Sequence, residues 1–387
     1  MYQRDCKPLV SNSFFLFGAR GTGKSTLLKQ LLPSSEKVLW INLLDNNLYQ
    51  KLVGRPETFL ELIPKNFDHS CWVVADEIQR VPELLNLVHL LIEEKKIKFA
   101  LTGSSARKLK RGGANLLAGR AFLNSLYPLS YFEMGNDFNL DEFLNWGSLP
   151  KIFEYKDELS KKEYLRSYVS SYIREEIKEE QIVRQLDPFV RFLEVSAQSN
   201  GEIINAAKIA RVAGTDSKAV LRYFQILEDT LLGFFLEPYH TSVRKVQTAK
   251  AKFYLFDPGI RHCLDGTLDS KILPGSSAFG RAFEHFFILE CLKQKSYQRR
   301  EERFYYLRTK DDVEIDLIIE RSRRDIIAIE IKSGTQVDDI EIKKSFNLAK
   351  DIKAKRFIVV CREKHRRNVD GIEIMPWEEA LKELYGQ

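Results

Sequence analysis

One octapeptide, Gly18-Ala19-Arg20-Gly21-Thr22-Gly23-Lys24-Ser25, restricts what this chain can fold into more than any other stretch. It satisfies every fixed position of the phosphate-binding P-loop pattern, and its flanks agree with that assignment. Phe14-Phe15-Leu16-Phe17 reads as a buried strand leading into the loop. The run from Thr26 to Leu32 reads as a helix that Pro33 stops. A strand, a glycine-rich turn and a helix in that order aim successive backbone N–H groups, and the positive end of the helix, at an anion. Residues Gly18 to Thr26 are therefore expected to cradle a nucleoside triphosphate, with Lys24 reaching the β- and γ-phosphates and the Ser25 hydroxyl ligating Mg²⁺.

The segments that follow alternate between apolar and charged, in the βα rhythm of a parallel sheet. Val38–Asn42 reads as a second strand, and Cys71–Ala75 as a third that ends in Asp76-Glu77. Two carboxylates at the carboxyl end of a buried strand suit nucleotide chemistry: Asp76 near the metal, Glu77 polarising an attacking water. Two adjacent acids also suit the start of a helix. A fourth strand, Lys98–Thr102, delivers Thr102 and Ser104 to the level of the γ-phosphate, where they read equally as phosphate sensors or as helix caps. Arg120 precedes a fifth strand, Ala121–Leu126. It could lend charge to the transferring phosphoryl group from its own or a neighbouring subunit, with Arg107 and Arg111 as competitors. A trans role for Arg120 implies a homo-oligomer.

Composition narrows the class without choosing a substrate. The 387 residues leave room for two to four compact units. Five scattered cysteines make neither a disulfide framework nor a zinc ribbon, no signal-peptide core is visible, and no apolar run approaches the roughly 18 residues of a membrane span. The expectation is a cytoplasmic chain with no membrane partner. A net charge of +6 permits a nucleic-acid partner without demanding one.

The runs Ala75-Asp76-Glu77-Ile78-Gln79, Leu101-Thr102-Gly103-Ser104-Ser105, Ala118-Gly119-Arg120-Ala121 and Tyr127-Pro128-Leu129-Ser130-Tyr131-Phe132-Glu133 resemble the prokaryotic AAA-type ATPases. The similarity is to the subgroup whose C-terminal domain of unknown function has a restriction-endonuclease-like core. Gly147-Ser148-Leu149-Pro150 resembles that family's Gly-Gly-x-Pro turn, with Ser148 in place of a glycine. The resemblance covers essentially the whole chain and implies ATP and Mg²⁺ as cofactors. With only 13 residues ahead of the first strand, the helix that packs over the nucleotide in that family is expected to be shortened here.

Beyond the lid-like stretch 136–185, where Glu158–Glu180 reads as one long helix, residues 186–265 spell helix, short edge strand, helix, capped helix and two strands. That is the order of a winged helix-turn-helix, with Arg244, Lys245 and Lys250 in the wing and Lys218 and Arg222 one turn apart on the third helix. Those cations read equally as a DNA contact or as the solvated face of a packing module. In residues 275–387 a helix from Phe279 to Lys293 carries Glu284 on a largely apolar surface. Strict alternation then puts Glu314 and Asp316 on one face of the strand Val313–Ile319, and Glu330 and Lys332 on one face of Ile326–Lys332. This is the D…E-x-K arrangement of restriction-endonuclease-like nucleases. Asp316, Glu330 and the Ile331 carbonyl would hold Mg²⁺ with Glu284 as a further ligand, and Lys332 would act on the attacking water or the phosphorane charge.

The resulting expectation is an α/β protein in four parts. A P-loop AAA-type parallel sheet (1–135) and a helical lid (136–185) are followed by a winged helix (186–265) and a restriction-endonuclease-like α/β domain (275–387). Its function is either an ATP-driven enzyme acting on DNA or an ATP-gated regulator whose nuclease fold is silent.

Overall fold

The computed structural model describes residues 2–33, 35, 37–105, 117–173, 186–240, 250–322 and 325–386. The chain divides into two compact units. The first comprises Met1–Met134, Leu149–Glu154 and Gln225–Leu232; the second comprises Gly135–Ser148, Tyr155–Phe224 and Gly233–Gln387.

The first unit is built on five parallel strands: β1 (Ser13–Phe17), β2 (Val38–Asn42), β3 (Trp72–Asp76), β4 (Lys98–Gly103) and β5 (Ala121–Ser125), in the order β2-β3-β4-β1-β5. These are the five strands expected from the sequence, with ends shifted by a residue or so. Four of the five residues of β3 are buried and all five of β1, the continuous apolar run of a strand covered on both faces. Phe15, Val73, Phe99 and Leu101 pack with Leu84 and Val88 of the Leu84–Lys95 helix into one core. In this order β1 and β4 are neighbours although β2 and β3 lie between them in sequence. That places the turns after β1, β3 and β4 side by side at one edge of the sheet, where open α/β sheets bind ligands.

The second unit carries an eight-stranded sheet. Its strands are β6 (Gly233–Pro238), β7 (Lys252–Leu255), β8 (Arg303–Arg308), β9 (Glu314–Ser322), β10 (Asp325–Ile331), β11 (Arg356–Cys361), β12 (Arg367–Val369) and β13 (Ile372–Pro376). Their order is β12-β13-β11-β10-β9-β8-β6-β7. The helices Leu186–Gln198, Ala206–Ala213 and Ser217–Asp229 and the antiparallel pair β6–β7 occupy the stretch read as helix-turn-helix and wing, and Ile203 forms a single bridge to Lys252. The sheet runs on across the boundary expected near residue 270, because the end of β6 pairs parallel with β8, Glu237 opposite Tyr305 and Pro238 opposite Tyr306. An edge strand has unpaired N–H and C=O groups, and here β8 satisfies those at the end of β6.

Only the first part of the single long helix expected over Glu158–Glu180 lies among the described residues. An α-helix spans Glu158–Ser167 and continues as a π-helical turn over Tyr168–Ile173; the remainder of that stretch, like Arg107, Arg111, Arg244 and Lys245, lies outside the described residues. No helix among the described residues is long and apolar enough to cross a membrane.

Candidate functional site

The P-loop closes as its glycines require. Gly23 caps the Lys24–Leu31 helix at φ 94°, a left-handed conformation that a side chain would oppose. A Cβ on Gly18 would lie 2.4 Å from the Leu126 carbonyl oxygen, so only glycine permits the chain just past β5 to approach this closely. Ala19 and Thr22 are buried, Arg20 half-buried, and Gly21 and Thr26 exposed. Thr22 donates its hydroxyl to the Ala19 carbonyl at 2.9 Å. Lys24 is buried with its Nζ on the Gly18 carbonyl at 2.7 Å, folded over the loop it would share with a phosphate.

The ends of β3 and β4 supply the rest. Ser25 donates its hydroxyl to Asp76 Oδ2 at 2.9 Å, and the Thr102 hydroxyl donates to Asp76 Oδ1. Thr102 Oγ1 in turn accepts the backbone N–H of Glu77 at 3.1 Å. That bond helps hold Glu77 at φ 61° and ψ 46°, a conformation that costs a non-glycine residue on the order of 1 kcal/mol and is sustained only by its surroundings. Thr102 therefore organises the two acids. The oxygen donors of Ser25 and Asp76, hydrogen-bonded to each other at the mouth of the loop, are the hard ligands that Mg²⁺ selects, so the residues present fit that ion.

Two residues that the sequence did not single out complete this edge. Gln79 is buried, and its amide Nε2 donates to Glu77 Oε2 at 2.5 Å and to Ser104 Oγ at 3.0 Å. Arg4 is buried as well. Its guanidinium donates to Glu133 Oε1 at 2.9 Å, to the Thr22 carbonyl at 2.7 Å and to the Tyr127 carbonyl at 2.6 Å, tying the N-terminal segment to the loop. Nothing local marked Arg4, since its partners lie 18 to 129 residues away.

Arg120 requires a correction. It pairs with Glu93 at the far end of the Leu84–Lys95 helix, with both side chains well exposed. Because β5 runs parallel to β1 with Ala121 opposite Ser13, Arg120 sits at the amino edge of the sheet, while the P-loop follows Phe17 at the carboxyl edge. Four residues of strand, roughly 13 Å, separate the two edges. Arg120 cannot serve the P-loop of its own chain.

In the second unit, Glu284 stands on the Ser277–Tyr297 helix, Glu314 and Asp316 on β9, Glu330 on β10, and Lys332 just past its end. Ile331 N–H donates to Asp316 Oδ2 at 2.7 Å, which fixes one acid against the strand that carries the other. Burial, then the neighbouring charges of Glu330 and Glu284, push Asp316 well above the usual carboxylate range. Burial raises Glu330 too, against the pull of Lys332. Lys332 is committed to acids, its Nζ 3.1 Å from Glu330 and 2.7 Å from Glu341.

Of the three acids expected to share a metal, Glu284 and Asp316 line one cleft, and Asp316 feels the charges of both Glu330 and Glu284. Among the described residues no three His, Cys, Asp or Glu side chains form a group that could hold a metal ion. Glu284 is engaged instead by β7: Lys252 Nζ lies 3.2 Å and the Tyr254 hydroxyl 2.6 Å from Glu284 Oε1, and the same ammonium is 2.6 Å from Glu314. Lys252 is thus the resident counter-charge of a cleft of about 460 Å³ that Glu284, Glu314 and Asp316 line. Burial opposes its charge, but Glu284, Glu314 and Asp316 outweigh burial and hold it protonated above the ordinary lysine range. The Glu284 carboxylate, read from the sequence as sitting on a largely apolar helix surface, is paired by a lysine 32 residues upstream. On the Ser217–Asp229 helix Lys218 and Arg222 are both exposed.

Residues 11–135 match an AAA domain, so the first unit's sheet is that of a P-loop AAA-type domain. Residues 137–271 and 279–380 match two domains of unknown function, DUF8612 and DUF4143. The chain is 26% identical over 313 residues to an uncharacterized protein of Mycobacterium tuberculosis, covering 80% of this chain and 69% of the relative. It is 23% identical over 389 residues to an uncharacterized protein of Haemophilus influenzae, covering 92% and 91%. Among solved structures, the Aeropyrum pernix ORC1 protein in complex with DNA is similar at 13% identity and a TM-score of 0.30, over 67% of this chain and 86% of that one, a likeness too shallow to bear on the fold.

Proposed function

We propose that the first unit binds ATP with Mg²⁺ and hydrolyses it. The observation that carries this reading is the hydrogen-bonded set at the carboxyl edge of the sheet: Lys24 and Ser25 on the loop, Ser25 on Asp76, and Asp76 on Thr102. Backbone N–H groups of the loop and the amino end of the Lys24–Leu31 helix hold the phosphates, and Lys24 exchanges the Gly18 carbonyl for a phosphate oxygen. Ser25 and Asp76 would hold the metal, which when bound neutralises charge on the β- and γ-phosphates. Glu77, one residue beyond the metal-side acid, accepts the proton of the attacking water. Lys24→Ala tests the assignment by loss of ATP affinity in equilibrium dialysis; unchanged affinity would end it.

The second unit admits two readings, and each has its own observation. Asp316 and Glu330 on adjacent strands with Lys332 beyond them support an enzyme acting on DNA. Lys252 bound to Glu284 and Glu314 supports a regulator that binds DNA or protein and cuts nothing. Lys252 already meets the charge on Glu284 that a three-acid metal centre would draw on. We therefore read the second unit as part of an ATP-gated regulator and propose DNA as its partner; Arg120 acting in trans would make it a homo-oligomer. Plasmid nicking that needs a divalent cation, and that disappears in Asp316→Ala, would reverse that preference.

A further inference from the structure

Gln79 is the side chain that joins Glu77 to Ser104. Its planar amide has two N–H groups, and each is spent on a different functional residue: one on the Glu77 carboxylate at 2.5 Å, the other on Ser104 Oγ at 3.0 Å. The reverse orientation would set the amide oxygen against a carboxylate, so the chemistry of the pair fixes which atom is the donor. The remaining amide oxygen, Oε1, is buried with no hydrogen-bond partner among the described residues. A group left unsatisfied in that way is costly, and it is retained here because both N–H bonds require this rotamer.

Gly103 belongs to the same device. A Cβ at that position would lie 2.5 Å from Gln79 Oε1, so the glycine of Leu101-Thr102-Gly103-Ser104 leaves the space in which the amide sits. The hydrogen bonds then form one chain across the carboxyl edge of the sheet. It runs from Ser25 to Asp76 to Thr102, through the Glu77 N–H, and from the Glu77 carboxylate through Gln79 to Ser104.

Resting on the reading of this site as an ATPase, we infer that Gln79 is a positioning residue that couples Ser104 to Glu77. Ser104 accepts from Gln79 and so keeps its own hydroxyl proton to donate to the γ-phosphate. Polarising that hydroxyl strengthens its hold on the amide, and because the amide is rigid its second N–H turns the Glu77 carboxylate with it. Glu77 is aimed at water when a γ-phosphate is there to be attacked, and ADP provides nothing for Ser104 to bind.

The test uses the full chain and steady-state ATP hydrolysis. Gln79→Met keeps the volume and removes both N–H groups; it should lower kcat by about 10²-fold, part of what a correctly aimed general base supplies, and leave KM within about threefold. Ser104→Ala should lower kcat in the same way. The double variant should be no slower than the slower single, because both break one chain. Gly103→Ala, which displaces the amide without altering its chemistry, should reproduce Gln79→Met. Fluorescent ADP analogue binding equal to wild type, which does not call on Ser104, shows in each case that the loop is intact. A Gln79→Met enzyme turning over like wild type, or a double variant whose loss is the product of the two single losses, overturns the coupling and leaves the ATPase reading standing. A wild type that binds ATP and never hydrolyses it overturns both.

Discussion

Arg4→Met should destabilise the first unit more than an ordinary single substitution, because Arg4 is buried. The guanidinium and the Glu133 carboxylate are almost fully buried, at 6% and 0% exposure. Glu133 also accepts the N–H groups of Asp5 and Ser130, at 2.8 and 2.9 Å. Methionine fills much of the volume but leaves a buried carboxylate with no counter-charge and removes a donor from the Thr22 carbonyl. Breaking a buried pair from one side costs about 3–5 kcal/mol. For a unit of this size each kcal/mol moves the midpoint by about 2–4 °C, so the expected loss is about 6–20 °C. Differential scanning calorimetry with and without ATP identifies the relevant transition as the one that ligand shifts upward. Adding Glu133→Gln to Arg4→Met should recover part of the loss, since the orphaned charge is gone and the amide oxygen still accepts one of the two backbone bonds. A loss below about 1 kcal/mol, or no recovery in the double variant, would refute the argument that Arg4 anchors the loop through a buried ion pair.

His285 is held near a pKa of about 3 by burial, with Nε2 2.6 Å from the Leu255 carbonyl and Nδ1 without a partner among the described residues. A histidine whose folded pKa lies below its unfolded value stabilises above about pH 6.5 and loses that contribution as pH falls toward 3. Denaturant midpoints of wild type should therefore drop through that window more steeply than those of His285→Gln, and parallel curves would contradict the assignment. Lys252→Met leaves Glu284 and Glu314 facing each other without their shared cation, and should destabilise the second unit by about 3–5 kcal/mol in urea titration. Adding Glu284→Gln should restore part of that loss; a Lys252→Met protein as stable as wild type would remove the basis for calling this lysine the resident counter-charge.

The parallel sheet was legible because its strands are continuous apolar runs and its loop has a fixed pattern. Gly18, Lys24, Ser25, Asp76 and Thr102 consequently lie where the motifs put them, at one edge. Gln79 was not legible as a site residue: a glutamine in a short helical turn is ordinarily solvated, and only the left-handed Glu77 brings it back over the acid two positions earlier. Arg120 was misplaced despite an available signal. In an all-parallel sheet a residue that precedes a strand stands at the edge opposite one that follows a strand, so the order Arg120 then β5 already opposed a role beside the loop after β1. The Glu284 pairing needed tertiary information. Lys252 reaches it only because β7 lies against β6, and no periodicity within the Ser277–Tyr297 helix announces a lysine from another strand.

The central claim is that Glu77 activates water at a nucleotide site that Lys24 and Ser25 create, and single-turnover hydrolysis of radiolabelled ATP by Glu77→Gln tests it most directly. Asp76, Ser25 and the loop are untouched in this variant, so ATP should bind with wild-type affinity. Its γ-phosphate should be released at least about 10²-fold more slowly, the lower bound of what a general base contributes. Release at the wild-type rate from an enzyme saturated with ATP would contradict the account.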